Sequence, residues 1–146
     1  MRRLIVALYA FLALALPGIA GADAQRQQAF DGLTVHYNAF PSSILQPSVA
    51  EQTGLLRSRN QGVLNIAAVR DGKTVPASVT GSVSDRSGKE RPLSFKQISE
   101  KGAVYYIAQF VIGPAQANPY RFTINIKAGG VDAHAFSFNQ EIYADE

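Results

Sequence analysis

The two histidines are the residues of this chain best suited to acid–base or metal chemistry. The 146-residue sequence contains only His36 and His134. A shared site would use both imidazoles, with Asp132 as a further ligand, to hold a metal ion or to move a proton. The alternative is two separate strand histidines, which is favoured because a zinc site normally takes three or four protein ligands. We therefore predict no catalytic residue, metal or cofactor, and keep a metal-dependent or hydrolytic enzyme using this pair as the alternative.

Other catalytic chemistry has little support in the sequence. Cysteine is absent, which excludes a disulfide scaffold, a thiolate zinc site, an iron–sulfur centre and a cysteine nucleophile. The single methionine is Met1, so the soft ligands preferred by copper(I) are missing after it. No G-x-S-x-G motif and no glycine-rich loop before a helix occurs. We therefore predict that the protein is non-catalytic.

Two arginines offer a different kind of site. Arg57 and Arg59 are two residues apart, so an extended backbone projects both side chains to the same side. With Asn60 and Gln61 they can present hydrogen-bond donors to an anion or a carboxylate. The alternative is a solvated stretch that leads into the next strand.

The N-terminus has the pattern of a secretory signal peptide. Met1, Arg2 and Arg3 precede a 13-residue apolar run that ends at Leu16, and small residues follow. The run is too short for a membrane anchor, which needs about 20 apolar residues. We predict a signal peptide over residues 1–24, with cleavage after Ala24 or alternatively after Ala20, and one domain over residues 25–146. The mature protein is predicted to be periplasmic, without a transmembrane segment.

The charge of the chain argues against a nucleic-acid partner. Fourteen Lys and Arg residues face 11 Asp and Glu residues, which gives a formal charge of +3, and the basic residues are scattered along the chain. A nucleic-acid binder shows its positive charge as a run or a patch.

Beyond the leader, apolar residues alternate with polar ones. The alternating rows begin at Leu33, Val75, Val104, Tyr120 and His134, and a mostly apolar strand begins at Val63. Alternation of this length predicts strands with one buried face. Turn signals such as Asp71-Gly72 and Gly129-Gly130 separate the rows. We predict an all-β fold, an immunoglobulin-like antiparallel β-sandwich of about seven strands.

One stretch, from Phe40 to Gly54, has no alternation, and the residues up to Gln61 then lead into the next strand; we call Phe40–Gln61 the aperiodic stretch. Pro47 is suited to the first position of a helix and Gly54 to its end, which predicts a short helix near residues 47–52 inside a long loop. Binding residues concentrate on loops that a rigid scaffold holds. This stretch is therefore the predicted contact surface.

The same stretch carries a resemblance to a known family. Asn38, Phe40, Ser42, Ser43, Leu45, Gln46 and Pro47 match an N-x-F-x-S-S-x-L-Q-P pattern. The chain resembles an exported Gram-negative family known as domain of unknown function 4426, over nearly all of the mature sequence. The resemblance implies a periplasmic protein and supplies no activity.

These observations lead to one functional hypothesis. The chain is predicted to be a periplasmic binding or interaction module, whose ligand is unknown and whose partner is a periplasmic protein or an envelope component. Its predicted contact residues lie in or beside the aperiodic stretch: Asn38, Phe40, Ser42, Ser43, Gln46, Arg57, Arg59 and Asn60.

Overall fold

The protein is a two-layered antiparallel β-sandwich, as the alternation predicts. The computed structural model describes residues 26–129 and 132–144, and the predicted signal peptide lies outside them. The strands in the described residues are β1 (Gln27–Phe30), β2 (Leu33–Pro41), β3 (Gln61–Arg70), β4 (Lys73–Thr74), β5 (Ala77–Ser84), β6 (Glu90–Leu93), β7 (Lys96–Glu100), β8 (Ala103–Val111), β9 (Tyr120–Ala128) and β10 (His134–Gln140). One α-helix, α1 (Pro47–Thr53), and two short 3-10 helices (Ser42–Ile44 and Ala115–Ala117) complete the elements.

The strands divide into two sheets. The first sheet has the order β1-β2-β3-β8-β7, and β4 pairs with the end of β3. The second sheet has the order β10-β9-β5-β6. All the strand pairs are antiparallel. The first and last strands are edge strands of different sheets, and the stacked rings of Phe30 and His134 join them, with centroids 4.2 Å apart.

The core lies between the sheets and consists of the inward members of each alternating row. Phe122 of β9 is fully buried at its centre. Its ring makes an edge-to-face contact with Phe110 of β8 at a centroid distance of 5.1 Å and stacks on Phe138 of β10 at 5.0 Å. Tilted and offset rings of this kind are the favoured aromatic arrangements. The phenol of Tyr106 accepts a hydrogen bond from the backbone N–H of Ala77 at 2.7 Å, which ties the two sheets together.

The structure has more strands than the seven predicted. The row that begins at Val75 is divided, because the chain passes from β4 in the first sheet to β5 in the second at Pro76. Proline has no N–H for the ladder, so this crossing occurs where a ladder bond is already missing. Although Pro76 comes directly before it, β5 itself lies inside its sheet.

The turn predicted at Asp71-Gly72 is present, whereas the one predicted at Gly129-Gly130 lies partly outside the described residues. Asp71 and Gly72 join β3 to β4 with φ values of 53° and 77°, the left-handed pair that a tight two-residue turn requires. At the turn after β5, the backbone N–H of Gly88 donates to the carbonyl of Asp85 at 2.9 Å. The Ser87 hydroxyl and backbone N–H both donate to the Asp85 carboxylate, and this lowers the pKa of Asp85 below its ordinary value.

Candidate functional site

The aperiodic stretch, called segment 40–61 below, connects β2 to β3 through α1. Proline at the first helical position costs no hydrogen bond, since that N–H would be unpaired in any residue. Pro47 occupies this position, and Gly54 ends the helix in the left-handed conformation with φ 73°. The Thr53 hydroxyl donates to the carbonyl of Val49 at 2.8 Å. The predicted helix is therefore present, and it extends one residue further than predicted.

Segment 40–61 packs against the outer face of the first sheet. The side-chain amide of Gln109 on β8 accepts from the backbone N–H of Leu56 at 3.2 Å and donates to its carbonyl at 2.9 Å. Lys96 on β7 donates to the carbonyl of Thr53 at 3.1 Å. Val63 points away from the core on β3, yet it is only 1% exposed, as expected for a residue beneath this covering layer.

A serine pair closes the loop of this segment. The Ser42 side chain is completely buried. Its hydroxyl accepts a hydrogen bond from the backbone N–H of Ser58 at 2.9 Å and donates to the carbonyl of Ser58 at 3.1 Å. Next to this pair, Arg57 donates to the carbonyl of Ser43 at 3.1 Å. The two ends of the loop are thus held side by side.

Removing the Ser42 hydroxyl is expected to loosen this loop. Ser42→Ala leaves the backbone N–H and carbonyl of Ser58 without their partner, which costs about 1–3 kcal/mol for partly buried groups. Backbone amide hydrogen exchange in the variant should accelerate over residues 42–60. Urea unfolding should show the corresponding decrease in the free energy of unfolding. Ser48→Ala, on the exposed face of α1, is the control and should leave both unchanged. Equal exchange in the two variants would show that the serine pair does not hold the loop.

The predicted contact residues differ in their exposure. The Ser42 side chain is buried, so in this structure it is not accessible to a partner. The exposed members are Asn38, Gln46, Arg57, Arg59 and Asn60, while Phe40 and Ser43 are half-buried.

Three of the exposed members, Asn38, Arg57 and Asn60, also have an internal role. Asn38 accepts a hydrogen bond from Arg26. Asn60 accepts from the Ser58 hydroxyl at 2.7 Å, and its own carbonyl accepts from the backbone N–H of Ile112. Arg57 donates to the carbonyl of Ser43 and is otherwise exposed, and Arg59 is exposed as well.

Segment 40–61 also exposes apolar side chains that the sequence analysis did not single out. Ile44 and Leu56 are each 63% exposed, and Val49 and Val111 are exposed as well. The bond between Arg57 and the carbonyl of Ser43 joins the residues that neighbour Leu56 and Ile44 in the chain. Val111 lies two residues beyond Gln109, on the same face of β8. We call Ile44, Val49, Leu56 and Val111 the apolar patch.

The apolar patch contains most of the large apolar side chains left in solvent. Of the five such residues in the described part of the chain, only Tyr143 lies elsewhere. Scattered single exposed apolar residues are ordinary, whereas a group of them marks an interaction site. The sequence signal was available, because Ile44, Val49 and Leu56 lie in a stretch without alternation, where no strand face hides them.

The two histidines lie on different faces of the first sheet. Leu33 and Val35 of β2 point into the core, so His36 points to the outer face, where it is exposed. His134 points inward from β10 and stacks on Phe30 between the sheets. The first sheet therefore separates the two imidazoles. Asp132 is exposed and precedes the start of β10 at His134. Within residues 26–129 and 132–144, no three His, Cys, Asp or Glu side chains lie close enough to share a metal ion.

Comparison with known proteins identifies the family. The family described as Domain of unknown function (DUF4426) matches residues 27–145. The chain belongs to the DUF4426 family. A crystal structure of a DUF4426 family protein from Pseudomonas aeruginosa PAO1 is 50% identical, with a TM-score of 0.75, covering 82% of this chain and 95% of that one. No curated protein matches the chain significantly.

More distant structures share the fold of this DUF4426 protein. FetP of uropathogenic Escherichia coli, expressed recombinantly in the periplasm, is 10% identical with a TM-score of 0.61, covering 82% of this chain and 94% of FetP. A copper-bound variant of FetP is 12% identical with a TM-score of 0.58, covering 82% and 90%. At this identity the likeness extends to the sandwich alone. In the described part of the chain, no helix is long and apolar enough to span a membrane.

Proposed function

We propose that this DUF4426 protein is a non-catalytic interaction module of the periplasm that binds a partner protein through segment 40–61. The observation that carries the proposal is the apolar patch. Three of its four members, Ile44, Val49 and Leu56, are exposed apolar side chains on a segment that the serine pair and Gln109 hold in place. A surface ordered before binding loses little conformational entropy when a partner docks.

The charges around the patch indicate what kind of partner fits. Arg57 and Arg59 follow Leu56 closely in the chain, and Glu51 is the single acidic residue of segment 40–61. Arginine and large apolar side chains are typical of the residues that dominate binding energy at interfaces. The complementary surface is an apolar patch bordered by acidic side chains.

A protein fits this surface better than a lipid bilayer does. Helices that lie in a membrane surface need a long apolar face, commonly with Trp, Phe or Leu, and a polar face rich in Lys and Arg. The α1 helix has seven residues, and the chain contains no tryptophan.

The cellular compartment is the second part of the proposal. The charged N-terminus, the short apolar run and the Ala-x-Ala site of residues 1–24 support export and cleavage by a signal peptidase. Recombinant FetP of the same fold was produced in the periplasm. N-terminal sequencing of the protein from a periplasmic fraction should begin at Gln25, or at Gly21 for cleavage after Ala20.

The proposal is tested by capture from a periplasmic extract of the native bacterium. Arg57→Ala/Arg59→Ala should reduce capture of one defined protein about tenfold, and added salt should weaken the wild-type complex because exposed charges are screened. Arg91→Ala/Arg121→Ala removes two exposed arginines of the second sheet and should capture as the wild type does.

Two results would oppose the proposal. Equal capture by the two double variants would remove segment 40–61 from the interface. Sedimentation of the wild type with phosphatidylglycerol vesicles, lost in Arg57→Ala/Arg59→Ala, would show that the surface binds lipid instead of protein.

A further inference from the structure

We propose that a pocket on the outer face of the first sheet binds a small carboxylate that also carries a hydrogen-bond donor. This site is separate from the apolar patch and does not depend on the function proposed for it. The residues that line it include Arg26, His36, Asn38, Asn65, Ala67 and Tyr105. We call it the outer-face pocket.

The strand register builds this pocket. On β2 and β3, His36 lies opposite Ala67, and Asn38 lies opposite Asn65. Ala67 has the smallest side chain of these four. The larger side chains around it extend further from the sheet, which leaves a depression above Ala67. The cavity has a volume of about 610 Å³. Pockets that bind small ligands commonly enclose about 300–1,000 Å³.

The charge of the pocket selects an anion. Arg26 is the single permanently charged residue among those that line it, and none of them is Asp or Glu. Arg26 donates one hydrogen bond to the side-chain oxygen of Asn38, which holds the guanidinium at the pocket wall. A guanidinium has five N–H donors in a fork that matches a carboxylate, so donors remain for a ligand.

An unpaired oxygen indicates the second ligand group. The Oδ1 atom of Asn65 is buried and has no hydrogen-bond partner in the described structure. Leaving such an atom unpaired costs about 1–3 kcal/mol, and native proteins contain few of them. Asn65 lines the outer-face pocket, and because the terminal torsion of asparagine is broad, rotation about it can present this oxygen to a ligand there. A ligand N–H or O–H placed there would satisfy it.

These groups together define the ligand chemistry. The carboxylate pairs with Arg26, the ligand's donor reaches Asn65, and the rings of His36 and Tyr105 flank the body of the molecule. Hydroxy acids, acylated amino acids and the C-terminal residue of a short peptide share this combination.

Three probes separate the two ligand groups. N-acetylglycine has a carboxylate and an N–H donor, N-acetylglycinamide lacks the carboxylate, and acetate lacks the donor. Titration followed by ¹H–¹⁵N correlation spectra should give saturable shifts for N-acetylglycine at the Asn65 side-chain amide and at the backbone of His36 and Tyr105. N-acetylglycinamide and acetate should each bind about tenfold more weakly, as expected for loss of one charged or one buried hydrogen bond.

Two variants complete the test. Arg26→Gln should lower the affinity for N-acetylglycine to that for N-acetylglycinamide. Arg91→Gln on the second sheet should leave the affinity for N-acetylglycine unchanged. Arg26 is exposed, so its replacement should leave the unfolding curve in place and the loss should reflect binding. Equal binding of the three probes, saturable shifts confined to other residues, or an unchanged affinity in Arg26→Gln would overturn the proposal.

Discussion

Ile44→Asp/Leu56→Asp is expected to lower the affinity for the partner protein by at least about 100-fold. Each substitution places a carboxylate where an apolar contact forms and adds repulsion against the acidic border proposed for the partner. Residues that dominate an interface contribute about 2 kcal/mol or more each, and every 1.4 kcal/mol is a factor of ten. Titration of the purified partner, followed by calorimetry, measures the change.

The folded state should tolerate these two substitutions, because both side chains are mostly in water already. The matched control is Ala135→Asp/Asn139→Asp, which adds two carboxylates to exposed positions on the outer face of β10. It should bind as the wild type does. An affinity loss of similar size in the control would mean that net charge, and not the apolar patch, governs binding.

Phe122→Ala is expected to reduce the free energy of unfolding by about 3–5 kcal/mol. The ring is fully buried, and its removal leaves a cavity facing Phe110 and Phe138. Truncation of a buried phenylalanine costs this much because both the transfer free energy and the cavity contribute. Domains of this kind have only about 5–15 kcal/mol of stability, so the variant should unfold at far lower urea concentration.

Tyr143→Ala is the control for the core variant. Tyr143 is an exposed aromatic residue near the C-terminus, and its truncation should change the free energy of unfolding by less than about 0.5 kcal/mol. A loss below about 1 kcal/mol in Phe122→Ala would contradict a core in which the two sheets meet at this ring.

The sequence predicts the sandwich well because burial of one strand face imposes a period of two. Tyr120, Phe122, Ile124 and Ile126 display it directly, and all four are buried. The strands that escaped prediction are those with little burial. β1 is four residues long, and β7 has a single half-buried residue, Ile98. An edge strand leaves no clear alternation when most of its side chains meet solvent.

The candidate site is less accessible to prediction, because its parts come from different strands. The pattern around Ser42 marks an unusual segment, but the neighbouring sequence does not show that the Ser42 side chain is buried against the backbone of Ser58. Exposed and buried loop serines have the same neighbours in sequence. The outer-face pocket depends on register, which sets Asn38 beside Asn65 and His36 beside Ala67. Register is set by pairing across the sheet, so no single strand reveals it.

The most direct test of a protein-binding segment 40–61 is site-specific photocrosslinking in intact cells. A photoreactive amino acid is placed at Leu56, and in a matched protein at Ser137, which is exposed on the outer face of β10. The account predicts one dominant adduct with a periplasmic protein from position 56, and none from position 137. The same adducts from both positions, or none from position 56, would contradict it.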